Sequence, residues 1–438
     1  MMKGLAWAMA LLALPACVSA QKMPPLPPPT APASAPAAAP GASAKITLDE
    51  AIRLALQHNH ALQAARTTIL QNQAQEITAN LRPNPTLSWD SQFFPLFNPN
   101  QFTVNYLENQ AQFDVGIGYL FERGKKRQHR LQAARDQTAV TTSQVDDNQR
   151  NLIFNTSQQF IAVLLAESAL QLAQQDVDSF RQTVDISESR FKAGDMSEGD
   201  LLKIKLQLLQ FQSDLATAKL ARQQALAALR QFLGFESVPD EFDVQGDLDY
   251  QPVHGTIEDL QLLAARSRPD LRAAQQNVTA ARSQEALMRA NGKKDLGVTF
   301  DYTHTAGINS GAFFFNIDLP IFDRNQGEIA RTRYAIIQAE QQAVETAQQV
   351  HTDVTDAYLA VHSNDEIIQL YRGGYVDQAK QSLDITEYSY KRGAASLLDF
   401  LDAERTYRAN QLAYRQALAS YMTALEQLRQ AVGTRNLP

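Results

Sequence analysis

Two hydrophobic periods alternate in blocks along this chain. From Lys125 to Ala193 there is neither glycine nor proline, and glutamine, alanine and charged residues dominate. Apolar residues punctuate the stretch at Leu152, Ile153, Phe160, Ile161, Leu164, Leu165, Leu170 and Leu172. Such a run of about 69 residues predicts one helix roughly 100 Å long. Gly194 breaks it, and a second uninterrupted stretch runs from Asp200 to Leu233. The pattern then returns. Glu328 to Arg372 is uninterrupted, Gly373-Gly374 bends it, Gly393 turns the chain, and Ala394 to Val432 runs back. In this last helix Tyr407, Tyr414, Tyr421 and Leu428 recur every seven residues, with Leu418 and Leu425 between them, as in a coiled-coil seam. Helices of this length cannot wrap one compact core; they must pack side by side in pairs or in an assembly.

Between the helices the period changes to two. Leu87 and Trp89 alternate with Ser88 and Asp90. Phe113, Val115, Ile117 and Tyr119 alternate with Gln112, Asp114, Gly116 and Gly118. Leu296, Val298, Phe300 and Tyr302 alternate with Gly297, Thr299, Asp301 and Thr303. Phe313, Phe315, Ile317 and Leu319 alternate with Phe314, Asn316 and Asp318. These runs predict strands at about 85–94, 111–121, 295–304 and 312–321, each near the ~9–11 residues that a tilted strand needs to cross a bilayer. A small soluble sheet with one buried face shows the same alternation. Charges inside the runs and Gln/Ala-rich helices without a matching apolar face favour the membrane. Four strands are too few to close a membrane barrel, so this reading requires several chains to share one.

The chain also states itself twice. Leu48 to Ala65 parallels Ile257 to Ala274, and Phe191 to Gly234 parallels Tyr390 to Gly433 without a gap. Lys192 falls on Lys391, Gly194 on Gly393, Ser197 on Ser396, Asp200 on Asp399 and Leu229 on Leu428. A repeat of roughly 200 residues is too long for a solenoid and implies two copies of one unit, at 45–245 and 253–438.

Composition narrows the function. The formal charge is −7 with no large basic domain, which argues against nucleic acid. No window after the first residues is apolar enough for a transmembrane helix. Lys3 and the apolar Leu5–Leu14 segment read as an export signal ending at residue 20. A competing reading places a lipoprotein box before Cys17, the only cysteine, which would then be acylated. Residues 21–44 are a Pro/Ala-rich tether. The seven histidines are scattered without ligand spacing, and no P-loop or nucleophile elbow is present. No metal site, cofactor or enzymatic activity is expected.

Two charged groups invite a role. Arg123, Lys125, Lys126, Arg127, His129 and Arg130 sit where the second strand becomes the long helix. Positive charge there opposes the helix dipole, so it is either offset, simply solvated, or in contact with lipid phosphates. The helix turns carry Asp195, Glu198 and Asp200 in one copy and Asp399 and Asp402 in the other. Most acidic turns are solvated N-caps.

These features together resemble the TolC-like outer membrane efflux proteins, over about Lys45 to Gly433. The specific motif is Phe/Tyr-Lys-x-Gly-x-x-Ser-x-x-Asp, present twice. Leu81-Arg82-Pro83-Asn84-Pro85 before a strand, and Phe121-Glu122-Arg123-Gly124-Lys125-Lys126-Arg127 after one, resemble the cobalt–zinc–cadmium branch, which usually has a second glycine where this chain has Lys125. The resemblance implies a mainly α fold with membrane strands. Three chains would give four strands each to a twelve-stranded barrel, continued by a long periplasmic α-helical barrel. It implies a passive exit duct in the outer membrane, joined by a periplasmic adaptor to an inner-membrane resistance–nodulation–division (RND) transporter. In the family's terms the hairpin tips, with Gly194, Ser197, Gly393 and Ser396, meet the adaptor. Asp399 and Asp402 ring the periplasmic entrance, and Tyr390 and Asp200 form a latch between hairpins. A second latch arginine is replaced by Ala395. The outer component of a type I protein secretion system, or a periplasmic coiled-coil spacer without a pore, remain the alternatives.

Overall fold

The computed structural model describes residues 44–437. The expected signal, Cys17 and the tether up to Ser43 lie outside them. The first half runs β1 (Ala44–Ile46), α1 (Leu48–His58), α2 (His60–Ala79), β2 (Thr86–Gln92), α3 (Val104–Asn109), β3 (Gln112–Phe121), α4 (Lys126–Lys192) and α5 (Glu198–Leu233). After β4 (Phe242–Val244), the second runs α6 (Ile257–Ser267), α7 (Pro269–Asn291), β5 (Leu296–Thr305), β6 (Ile308–Ile317), α8 (Gln326–Leu370), α9 (Val376–Lys391) and α10 (Leu397–Val432).

Side chains set the helix ends. Thr47, Asn59, Ser197, Thr256 and Ser396 each accept the backbone N–H three residues on. Asn59 closes α1 and opens α2, and its Nδ2 also donates to the Phe232 carbonyl at 3.2 Å. The matching break between α6 and α7 falls at Arg268-Pro269, with proline at the first helical position. α4 has 67 residues, about 100 Å of helix. α8 widens into a π-turn at Tyr371–Tyr375, where Gly374 takes φ 103°, and continues as α9. A local insertion of this kind bends a helix without ending it. The hairpin turns rest on Gly194 (φ 83°) and Gly393 (φ 75°), in the region that side chains disfavour.

The strands form one antiparallel sheet in the order β2-β3-β5-β6, so the central pair joins the two halves. β1 and β4 make a separate parallel pair. Three strands fall within two residues of their expected places. The fourth occupies 308–317 rather than 312–321. The cause is a two-residue turn at Ala306-Gly307, both with positive φ (51° and 75°), which pairs Thr305 directly with Ile308. Asp318 and Leu319 therefore fall beyond the strand.

Packing is divided among three clusters. One in the first half gathers Ala51, Phe160, Val163, Leu229 and Leu233. Its counterpart in the second half gathers Leu260, Val354, Ile368, Tyr421 and Leu428. The third lies where the two hairpins meet near their tips and holds Val177, Phe180, Ile204, Phe211, Tyr390 and Phe400. The seven-residue seam of α10 is graded. Tyr421 and Leu428 are fully buried, whereas Tyr407 and Tyr414 are only partly so. Truncating Leu428 to alanine would cost about 2–5 kcal/mol by the usual cavity penalty.

Candidate functional site

The sheet's register sorts every alternating residue onto a consistent face. Trp89 pairs with Val115 and Val115 with Tyr302; Ile117 pairs with Phe300 and Phe300 with Phe313. This face also carries Leu87 and Phe315, and it is open: Trp89 is 76% exposed and Phe315 71%. An unpartnered aromatic face of this kind suits hydrocarbon. The opposite face carries Ser88, Asp90, Gln112, Asp114, Thr299, Asp301 and Asn316. Gln92 donates to Asp90 at 2.5 Å and Gln112 to Asp114 at 2.7 Å. Gly116 lies between Ser88 and Asp301 in the register, and a Cβ there would fall 1.7 Å from Asp301 Oδ1 and 2.5 Å from Ser88 Oγ. Glycine at this position makes the space that a carboxylate occupies. Phe314, Leu120 and Ile308 also fall on this side and are exceptions to its polarity.

The basic segment at the sheet–helix junction has its offset. Lys126 Nζ sits 2.7 Å from Asp295 Oδ2, and the Arg123 backbone N–H donates to Asp295 Oδ1 at 2.9 Å. Arg130 pairs with Glu122 at 2.8 Å and donates to the carbonyls of Ala79 and Leu81. Of the residues expected to meet headgroups, Lys126 is thus committed inside the protein. Lys125 is exposed and Arg127 partly so. Lys125 is also the N-cap of α4, at φ 59°, and Asn325 holds the equivalent place before α8 at φ 62°.

At the tips, the serines flagged in the sequence are helix caps. Ser197 Oγ accepts the Asp200 N–H at 3.1 Å, and the Asp200 carboxylate takes Lys203 Nζ at 3.2 Å. Ser396 and Asp399 form a reciprocal capping box. The Ser197 and Lys203 hydrogen bonds hold the Asp200 carboxyl below its ordinary range, and those from Ser396 do the same for Asp399. Asp402, exposed, pairs with Arg405 at 2.7 Å. Tyr390 is buried, but its hydroxyl has no hydrogen-bond partner among the described residues, so no bond joins it to Asp200. Burial pushes its phenol up. The ring, rather than the hydroxyl, makes the contacts, one within its own hairpin and one across to the other. It stacks on Phe400 with centroids 5.2 Å apart, and the Arg190 guanidinium of α4 lies 5.4 Å from its centroid.

The contact continues up the seam. Phe400 is parallel to Phe180 at 6.5 Å, Phe180 meets Phe211 edge-on at 4.9 Å, and Arg408 lies 4.8 Å over Phe211. Arg408 bridges the hairpins by pairing with Asp176 of α4 at 2.9 Å and with Asp214 of α5. Arg190, Asp176, Asp214, Glu404 and Arg408 were not singled out in the sequence. A signal existed: Glu404 and Arg408 continue, at four-residue steps, the buried stripe begun by Phe400.

Comparison with known proteins agrees with this geometry. The family model described as outer membrane efflux protein matches residues 51–235 and 261–434. The cobalt-zinc-cadmium resistance protein CzcC of Cupriavidus metallidurans is 26% identical over 406 residues, covering 90% of each chain. A solved structure of CusC, described as a transmembrane channel, superposes with a TM-score of 0.74 at 20% identity, over 88% of this chain and 92% of that one. The outer membrane protein VceC of Vibrio cholerae gives 0.71 at 19% identity, over 88% and 96%. A sheet with one apolar and one polar face, continued by paired helices of such length, and a family match across both halves have one meaning: the chain belongs to the outer membrane efflux protein family and is an outer membrane channel whose helices extend into the periplasm.

Proposed function

We propose that this channel is the exit duct of a tripartite pump for heavy-metal cations and catalyses no reaction of its own. The observation that carries the duct is the four-stranded sheet with two unpaired edges, β2 and β6, and one largely apolar face. Three copies joined edge to edge would close a barrel around the polar face. The metal cargo is supported by the printed name of CzcC, a cobalt-zinc-cadmium resistance protein. An RND-type transporter supplies the energy, and a periplasmic adaptor docks on the hairpin tips around Gly194, Ser197, Gly393 and Ser396. The same tips form the periplasmic mouth, with Asp399 and Asp402 at its rim and the Tyr390 ring as the contact between hairpins. Lys125 and Arg127 face the lipid headgroups. Deleting the gene and scoring tolerance to zinc, cobalt and cadmium beside organic toxicants tests the cargo. Sensitivity to the metals alone is the expected result; sensitivity to the organic compounds alone overturns it.

A further inference from the structure

We infer that Glu404 makes the seam between the two hairpins of one chain a proton-controlled lock, tight when its carboxyl is protonated and loosened when it ionises.

Five charged side chains line the seam. Asp176 comes from α4, Asp214 from α5, and Glu404, Arg408 and Arg415 from α10. Arg408 is already shared between Asp176 and Asp214. Arg415 donates through Nε to Ser168 of α4 at 2.9 Å and through Nη1 to the Gln411 carbonyl at 3.2 Å. On α9, Lys380 pairs with Asp384 at 3.4 Å and lies 5.7 Å over the Tyr407 ring. Gln210 holds the other oxygen of Asp214 at 2.8 Å. Three carboxylates therefore face two guanidiniums, and Glu404 is the one with neither a salt bridge nor a hydrogen bond among the described residues. One Asp176 oxygen also lacks a hydrogen bond, although it touches Arg408. With Glu404 ionised, the seam holds one uncompensated negative charge; with Glu404 protonated, it is neutral.

Burial and the Asp176 charge push the Glu404 carboxyl from 4.5 up to about 7, against the pull of Arg408. Burial also raises Asp176. A carboxyl raised in the packed state favours packing while it is protonated. Its contribution is complete below about 4.5 and is lost as pH rises to about 7. Across that window the packing equilibrium of one seam falls by up to about tenfold per pH unit. The seam starts directly above the tips: Phe400 and Glu404 are one turn apart. Loosening it frees the ring contacts that hold Tyr390, and on the mouth reading given above this raises the resting leak.

Melting temperature in detergent is the test of the lock itself. Wild type and Glu404→Gln are compared at pH 5 and pH 8. Glutamine has the same shape and no charge, so the variant should melt higher than wild type at pH 8, with a much smaller gap at pH 5. The same gap at both pH values overturns the inference. Asp176→Asn removes the neighbouring charge that helps to hold the Glu404 carboxyl up, so the loss of stability should end at lower pH and be smaller than in wild type; no change would remove Asp176 from the lock. Resting conductance in planar bilayers is read separately. A wild-type leak that rises towards pH 8 and is flat in Glu404→Gln supports both readings. A melting gap at pH 8 with unchanged conductance keeps the lock and removes the mouth assignment.

Discussion

Arg190 of α4 lies across the ring of Tyr390, and its Nη1 reaches the Tyr390 carbonyl oxygen at 3.4 Å. The chain has Ala395 where a latch arginine is expected, and here an arginine reaches the second hairpin from the first. A cation over a partly desolvated ring is worth about 1 kcal/mol. Arg190→Met should weaken the closed mouth by about that much per chain and raise the resting leak. Tyr390→Phe keeps the ring and removes a hydroxyl without a partner, so it should leave the leak unchanged, whereas Tyr390→Leu should raise it. Single-channel recordings of the three variants check this, and a leak from Tyr390→Phe equal to that from Tyr390→Leu would restore the hydroxyl as the latch.

Asp399 and Asp402 should set the ion preference of the mouth, because like charges gathered near one axis attract cations and exclude anions. Asp402→Asn should lower cation selectivity, measured as the reversal potential in a salt gradient, with little effect on stability, since an exposed ion pair contributes about 0–1 kcal/mol. Asp399→Asn should do the same and also weaken the α10 cap. The Asp399 carboxyl is held below its ordinary value, so its cap is strongest above that range and is lost on acidification through the lowered pKa. Equal selectivity in wild type and the double variant would remove these residues from the pore rim.

Gly116→Ala should weaken assembly, because its Cβ would stand 1.7 Å from Asp301 Oδ1 and force that carboxylate to turn away. The effect is steric and local, so Gly116→Ala combined with Asp301→Gly should recover much of it. Heat-modifiable migration on gels reports assembly. A single variant that assembles normally would show that the sheet can shift to accept a methyl group.

Lys125→Gly should stabilise the protein. Lys125 holds a left-handed backbone at φ 59°, which costs a side-chain-bearing residue about 1–2 kcal/mol. Its amine also makes no ion pair among the described residues. A gain of roughly 1 kcal/mol is expected in denaturant unfolding. Asn325→Gly should gain less, because asparagine tolerates this region better. A loss on Lys125→Gly in lipid-free detergent would mean that the lysine side chain stabilises the cap by more than its left-handed backbone costs.

Much of this architecture is legible because it is periodic. The period-two runs located β2, β3 and β5, and the glycine-free stretches located α4, α5, α8 and α10, since each signal is local. The fourth strand was placed late because Ala306-Gly307 lacks the Asn-Gly or Asp-Gly signature of such a turn. The junction and the seam were less accessible for another reason. Lys126 meets Asp295, and Asp176 meets Arg408, across long separations in sequence, and no local pattern encodes which charge will find which. The tip residues Ser197, Ser396, Asp200 and Asp399 were found by repetition, but repetition does not separate capping from gating. Only the backbone showed why position 125 favours glycine.

The open edges of β2 and β6 bear on inheritance and on biogenesis. A strand edge in hydrocarbon leaves backbone N–H and carbonyl groups without partners, at several kcal/mol each. A lone chain is therefore an unfinished object in a bilayer, and insertion has to wait for, or proceed together with, the joining of neighbours. One copy damaged at either edge would spoil the whole ring that admits it. In a cell expressing damaged and intact copies equally, most assemblies would carry at least one faulty joint, so edge mutations should behave as dominant, and those confined to the seam within a chain as recessive.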